Sequence, residues 1–187
     1  MNPHDSTLVI VAVLTVLVAF AAFLLYRNNQ SHRLEKRFGP EYGRALSEHG
    51  NRDRAEAELL AREKRVSRFK IVPLSREDTE RYAQEWKALQ ARFVDDPKGA
   101  VVEADRLVRD VMQRRGYPMS DFERVAADIS VDHPVVVDNY RAACEIVLRD
   151  QRGEADTEEL RKAIVHYRAL FTELLQVETH AEALPAR

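Results

Sequence analysis

The chain contains a single cysteine, Cys144, in 187 residues. One thiol excludes an intramolecular disulfide and any Cys-x-x-Cys site, and it fits a reducing compartment. Glycine is scarce, with six residues, and nowhere forms a phosphate-cradling loop or flanks a serine as a nucleophile elbow requires. None of the six histidines has a glutamate three residues before it, so the Glu-x-x-His pairs of a di-iron helical bundle are missing. Asp95-Asp96-Pro97 offers two adjacent carboxylates without further ligands, which reads as a helix cap in Asp96 and not as a metal site. No catalytic residue, metal site or cofactor is therefore assigned. That weighs against an enzyme without excluding one.

What the chain does have is Leu8 to Tyr26, LVIVAVLTVLVAFAAFLLY, without a charge, a proline or a glycine. As a helix this stretch spans about 28 Å, close to the hydrocarbon thickness of a bilayer. Lipid offers no partner to exposed backbone amides, so a helix is the conformation expected. Such a run has three possible fates: a permanent anchor, a cleaved signal or a buried core helix. It shows no polar face, which argues against a core helix. Its start, MNPHDST, has no Lys or Arg, and its one A-x-A match, Ala19-Phe20-Ala21, lies inside the run, which argues against a signal. The anchor is the expectation, and secretion after signal cleavage is the alternative.

The flanks set the orientation. Arg27, Arg33, Lys36 and Arg37 follow the run, whereas only Asp5 and the terminal amine precede it. Lys and Arg are retained on the cytoplasmic side, so residues 1–7 are expected to form a short external tail and the rest to face the cytoplasm. Arg27, Arg33, Lys36 and Arg37 are also the candidate contacts with anionic lipid, and only those nearest the bilayer benefit, because screening acts within about 10 Å. From Arg27 to Lys70 there are 12 Lys or Arg against 7 Asp or Glu, whereas from Ile71 onward there are 17 against 23. The acidic distal part argues against nucleic acid as a partner.

The remaining chain reads as helix throughout. The segment 27–70 is a basic, helical juxtamembrane stretch, broken at Gly39-Pro40 and again at Gly50. Residues 71–179 form an acidic domain. Ser75 caps a helix carrying Tyr82, Trp86, Leu89 and Phe93. Asp96 caps one carrying Ala100, Ala104, Leu107 and Val111, with Pro97 at its first position and Gly116 closing it. Ser120 is expected to cap a short helix with Phe122, Ala126 and Ile129. Asp132-His133-Pro134 is expected to open another, with Val136, Tyr140, Ala143 and Val147. The last starts at Thr157, and its Leu160, Ile164, Tyr167, Phe171 and Leu174 make a coiled-coil-like seam too short for a coiled coil. Five amphipathic helices on short links, with no alternating strand pattern, give an all-α fold: one N-terminal transmembrane helix, a helical linker and an antiparallel bundle. Residues 180–187 are expected to be a disordered tail. Cys144 lies in an apolar helical pattern and reads as a buried small hydrophobe.

The richest polar stretch runs from Arg114 to Arg141. Asp128, Asp132, His133, Tyr140 and Arg141 surround two helix junctions there. One reading is a ligand or interaction site in which a neighbouring aspartate orients His133. The other is helix capping, with Asp132 holding the free amides of the proline-initiated helix.

RFGPEY at Arg37–Tyr42, FVDDP at Phe93–Pro97, RGYP at Arg115–Pro118, SVDHP at Ser130–Pro134 and HYRALFTELL at His166–Leu175 resemble an uncharacterised family of bacterial single-pass membrane-anchored proteins. The resemblance covers nearly everything after the anchor. It implies a location and a fold but no mechanism. The expected role is a membrane-tethered helical interaction or scaffold module. A small-ligand or metal-binding domain around Asp128–Tyr140 and an anionic-lipid sensor at the membrane surface are the alternatives. The expected partners are the bilayer and another protein, with homo-oligomerisation left open.

Overall fold

A computed structural model describes residues 3–176 of the chain, with side chains described over 13–175. Those residues form eight α-helices and no strand. The expected tail at 180–187 and the first two residues lie outside the described residues. The chain divides into two compact units, with the boundary between Leu59 and Leu60, inside a helix.

The first unit holds α1 (Pro3–Phe38), α2 (Pro40–His49) and the start of α3 (Arg52–Val66). One helix in the described chain is long and apolar enough to cross a membrane, and it is α1. Its apolar side chains have no protein cover: Val16 is 67% exposed, Val18 67% and Leu25 71%. A core helix would bury such residues on at least one face. α1 begins five residues before Leu8 and continues twelve beyond Tyr26, so the membrane-spanning candidate and its basic flank form one unbroken rod.

Gly39 ends the rod at φ 49°, a left-handed conformation that costs glycine little. Pro40 then occupies the first turn of α2, where its missing N–H is not needed. Gly50, at φ 61°, closes α2 by donating its N–H to the Leu46 carbonyl. Asn51 Oδ1 accepts from the Asp53 amide at 2.7 Å and starts α3. Arg27 pairs with Asp53, and Ser31 bonds Glu56 at 2.6 Å. Both partners advance along the chain together, so α3 runs parallel to α1 and α2 is the return arm. The ten residues of α2 climb about 15 Å. That brings the start of α3 back beside Arg27.

The second unit holds the end of α3 and five further helices: α4 (Arg76–Arg92), α5 (Pro97–Arg114), α6 (Phe122–Asp132), α7 (Val137–Gln151) and α8 (Thr157–Gln176). α5 packs against α4, α7 and α8, and α7 packs against α6 and α8. The expected stripes make the core. Ala100, Ala104, Leu107 and Val111 of α5 are fully buried, as are Leu160, Tyr167 and Leu174 of α8. Trp86 of α4 stacks on Phe171 of α8 with centroids 4.6 Å apart.

Two of the expected caps hold. Ser75 Oγ accepts from the Asp78 amide at 3.0 Å, and Asp96 Oδ1 from Gly99 at 2.9 Å. Two others are corrected. Asp121, not Ser120, caps α6, with Oδ1 accepting from the Arg124 amide at 3.0 Å. Asp132 does not open a helix either: it is the last residue of α6. Pro134 disfavours helical geometry at the residue before it, and His133 sits outside the helical region at φ −130°, ψ 56°. The chain turns through Pro134–Val136, and α7 starts at Val137 without a side-chain cap.

The connector before α4 runs close to the turn after α5. The Val72 amide donates to the Arg115 carbonyl at 2.9 Å. Gly116 has φ 96°, and a Cβ placed there would lie 2.3 Å from the Lys70 carbonyl oxygen. Only glycine fits this crossing.

Candidate functional site

The end of α6 gathers a buried polar junction within the second unit. Asp128 is 3% exposed and accepts from Arg65 Nε at 2.7 Å. Arg65 Nη2 reaches the same oxygen, also at 2.7 Å. One turn on, Asp132 Oδ2 accepts from the Tyr117 hydroxyl at 2.9 Å. Burial, reinforced by the Asp132 charge, holds the Tyr117 phenol well above its ordinary range, so it remains a donor.

His133 is enclosed between charged groups. Its Nε2 lies 3.4 Å from Arg115 Nη1, and its Nδ1 lies 3.3 Å from Glu173 Oε1. A guanidinium can only donate, so Nε2 must accept and the proton sits on Nδ1, directed at Glu173. Burial lowers the His133 pKa, the Arg115 charge adds to that, and Glu173 opposes it. Arg115, itself buried, also donates to the Leu174 carbonyl at 3.3 Å. The junction thereby ties the turn after α5 and the end of α6 to α8. Glu173 is 44% exposed, which gives the imidazole a hydrogen-bonded route to water.

Tyr140 belongs to a different group. Its ring packs on Phe122 at 5.4 Å between centroids, and burial, then the neighbouring Cys144, push its phenol up. Around it, Asp105 Oδ1 accepts from the Tyr167 hydroxyl and Oδ2 from Arg109 Nε, both at 2.9 Å. The Tyr167 hydroxyl lies 3.6 Å from Cys144 Sγ. Burial raises the Cys144 thiol to about 11, so it is protonated at neutral pH and a poor nucleophile. Sequence reasoning missed Asp105 and Arg109. Their only local signal is an i,i+4 acid–base spacing, and the partner tyrosine is on another helix. Arg141 is half-buried on α7 next to Tyr140.

So the five candidates separate. Asp128, Asp132 and His133 share one junction, each already held by a protein group, and Tyr140 anchors the α5–α7–α8 core. Among the described residues, no group of three or more His, Cys, Asp or Glu is placed to hold a metal ion.

The first unit has its own polar hub. Glu56 Oε1 accepts from Ser31 Oγ at 2.6 Å, the Tyr42 hydroxyl at 2.8 Å and Arg52 Nε at 2.9 Å, joining α1, α2 and α3. Burial works to raise the Glu56 pKa, but the bonds from Ser31, Arg52 and Tyr42 outweigh it and hold the carboxyl below its ordinary range. Of the candidate lipid contacts, Arg27 pairs with Asp53, and Arg33, Lys36 and Arg37 are exposed along the end of α1. No protein-family model, curated protein or solved structure matches this chain.

Proposed function

We propose that this chain is a single-pass membrane protein whose helical body, beyond α1, serves as a protein-interaction module on the cytoplasmic face of a bacterial inner membrane. The observation that carries the anchor is the bare apolar surface of α1. Leu14, Phe20, Phe23 and Tyr26 project in several directions around the helix and are each at least half exposed. A residue of this kind gains about 1.5–3 kcal/mol on leaving water, and here only a bilayer can supply that for all sides at once. The basic residues after Tyr26 favour an inward-facing body.

The interaction role follows from where the polar groups go. Asp105, Asp128, Asp132, Tyr117, Tyr167 and His133 are each engaged with a side chain elsewhere in the fold, which makes them its fasteners. The surface left for partners carries isolated apolar side chains, Val94 at 82% exposure and Val135 at 77% among them.

The test uses the full chain expressed in a bacterial cell. Membranes are washed with alkaline carbonate, and a parallel culture is crosslinked in vivo before detergent extraction. Retention in the washed membrane with discrete crosslinked partners supports the proposal. Release by carbonate removes the anchor, and crosslinks no different from those of a scrambled membrane-anchored control remove the interaction role.

A further inference from the structure

The face of α1 that meets α3 contains a cleft of about 220 Å³, lined by Leu24, Arg27, Asn28, Ser31 and Arg52. The first four lie on one stripe of α1, three or four residues apart. Leu24 belongs to the apolar run and Arg27 is the first cation after it, so the cleft straddles the level at which hydrocarbon gives way to headgroups. Arg52 comes from far along the chain. It reaches this level only because α2 returns the backbone and lets α3 begin beside Arg27.

We infer that this cleft holds the phosphate diester of a membrane phospholipid, with the acyl chains lying along Leu24 and the apolar surface of α1. The inference rests on the membrane anchoring proposed above. A guanidinium presents a planar fork of donors that matches phosphate oxygens, and two of them flank the cleft. Arg52 is positioned for the task. Its Nε is held at 2.9 Å by Glu56, which Ser31 and Tyr42 fix in turn, while 54% of its side chain remains open to solvent. Arg27 is held by Asp53 and is 44% exposed. Asn28 adds an amide donor between them.

Asp53 and Glu56 nearly balance the two arginines. A bare anion must therefore compete with Asp53 for Arg27 and gains nothing from Leu24. A lipid brings both the phosphate and the chain that covers the apolar wall, so the cleft favours a lipid over free phosphate. The more distal cations are less suited. Arg33, Lys36 and Arg37 lie roughly 10, 15 and 16 Å beyond Tyr26 along the helix axis, and attraction to a surface decays over about 10 Å.

The experiment titrates the full chain, purified in an uncharged maltoside detergent, and reads bound ligand by native mass spectrometry. The probes are dioctanoyl phosphatidylglycerol, dioctanoylglycerol and glycerol phosphate. Expected is one saturable phosphatidylglycerol per chain, with the phosphate-free and chain-free probes at least about ten-fold weaker. Arg52→Gln should weaken the lipid about ten-fold or more. Because that change also strips Glu56 of a partner, Asn28→Trp serves as a second variant. It fills the cleft, leaves every ion pair intact and should weaken the lipid equally. Arg33→Gln removes the same charge from another face of α1 and should change binding less than about two-fold. The site is overturned if Asn28→Trp binds like the native chain, or if Arg33→Gln weakens binding as much as Arg52→Gln. Glycerol phosphate binding as tightly as the lipid would assign the cleft to free phosphate instead. A chain that stays in carbonate-washed membranes yet shows no saturable lipid loses the site and keeps its anchor.

Discussion

Replacing Gly116 by alanine tests the packing of the helical body at its tightest backbone crossing. At φ 96° an L-residue is strained, at roughly 1–2 kcal/mol for left-handed backbone. The new Cβ would also sit 2.3 Å from the Lys70 carbonyl oxygen, a distance no relaxation of a side chain can relieve because the opposing atom is backbone. The connector must move, and the bond from the Val72 amide to the Arg115 carbonyl goes with it, at about 1 kcal/mol. Together these give about 2–4 kcal/mol of destabilisation. For a body of this size that corresponds to a fall in Tm of roughly 10–20 °C. The assay is thermal unfolding of the full chain in detergent, followed by circular dichroism. Two companions calibrate it. Gly153→Ala shares the positive φ, 74°, but meets nothing within 4 Å, so it should cost only the backbone term, about 1–2 kcal/mol. Gly43→Ala lies inside α2 with open space around it and should stabilise by about 0.5–1 kcal/mol. If Gly116→Ala melted with Gly153→Ala, the close crossing of connector and turn would be refuted.

Three further expectations concern the buried polar groups. His133 has a folded pKa below its unfolded value of about 6.5, so the unfolded chain takes up the proton first. Stability is therefore unaffected above about pH 6.5 and falls as pH drops below it, until the folded imidazole also protonates; denaturant titrations from pH 7 to 5 should show a slope that His133→Asn flattens. Arg65→Ala leaves Asp128 buried without its cation and should cost about 3–5 kcal/mol, whereas Arg65→Met with Asp128→Leu should recover most of it; chemical denaturation of the native chain and these two variants measures this. Cys144, protonated and 7% exposed, should react with iodoacetamide at pH 8 at least about a hundred-fold more slowly in the folded chain than in urea; equal rates would contradict its burial.

The legible features of the fold were those governed by local chemistry. The apolar run, the Gly39-Pro40 break, the Gly50 stop and the caps at Ser75 and Asp96 each depend on residues within one turn of one another. The helical stripes of α5 and α8 were equally clear, because a core face repeats every three or four residues. The sequence context of Asp132, two residues before Pro134, fits the opening of a helix as well as the end of one. What decided against the opening is Tyr117, fifteen residues upstream, whose hydroxyl takes the carboxylate. Asp121 was passed over because Ser120 is an equally good cap by type. The return of α2 was hidden for a different reason. Nothing near Asn51 announces that α3 will start beside Arg27, since that register is set by Ser31 and Tyr42 converging on Glu56 across three helices.

The most direct measurement of the anchor is a nitroxide scan of α1. Single cysteines are placed in turn at positions 13–31 of a Cys144→Ala chain in phosphatidylglycerol-containing nanodiscs, and collisions with oxygen and with a water-soluble nickel chelate are compared. For a lipid-spanning α1, every position from Val13 to Leu24, on all sides of the helix, is rich in oxygen and shielded from nickel, with the crossover near Tyr26 and Arg27. Nickel access recurring every three to four residues within that stretch would show a helix with one wet face, and the membrane-spanning account would fall.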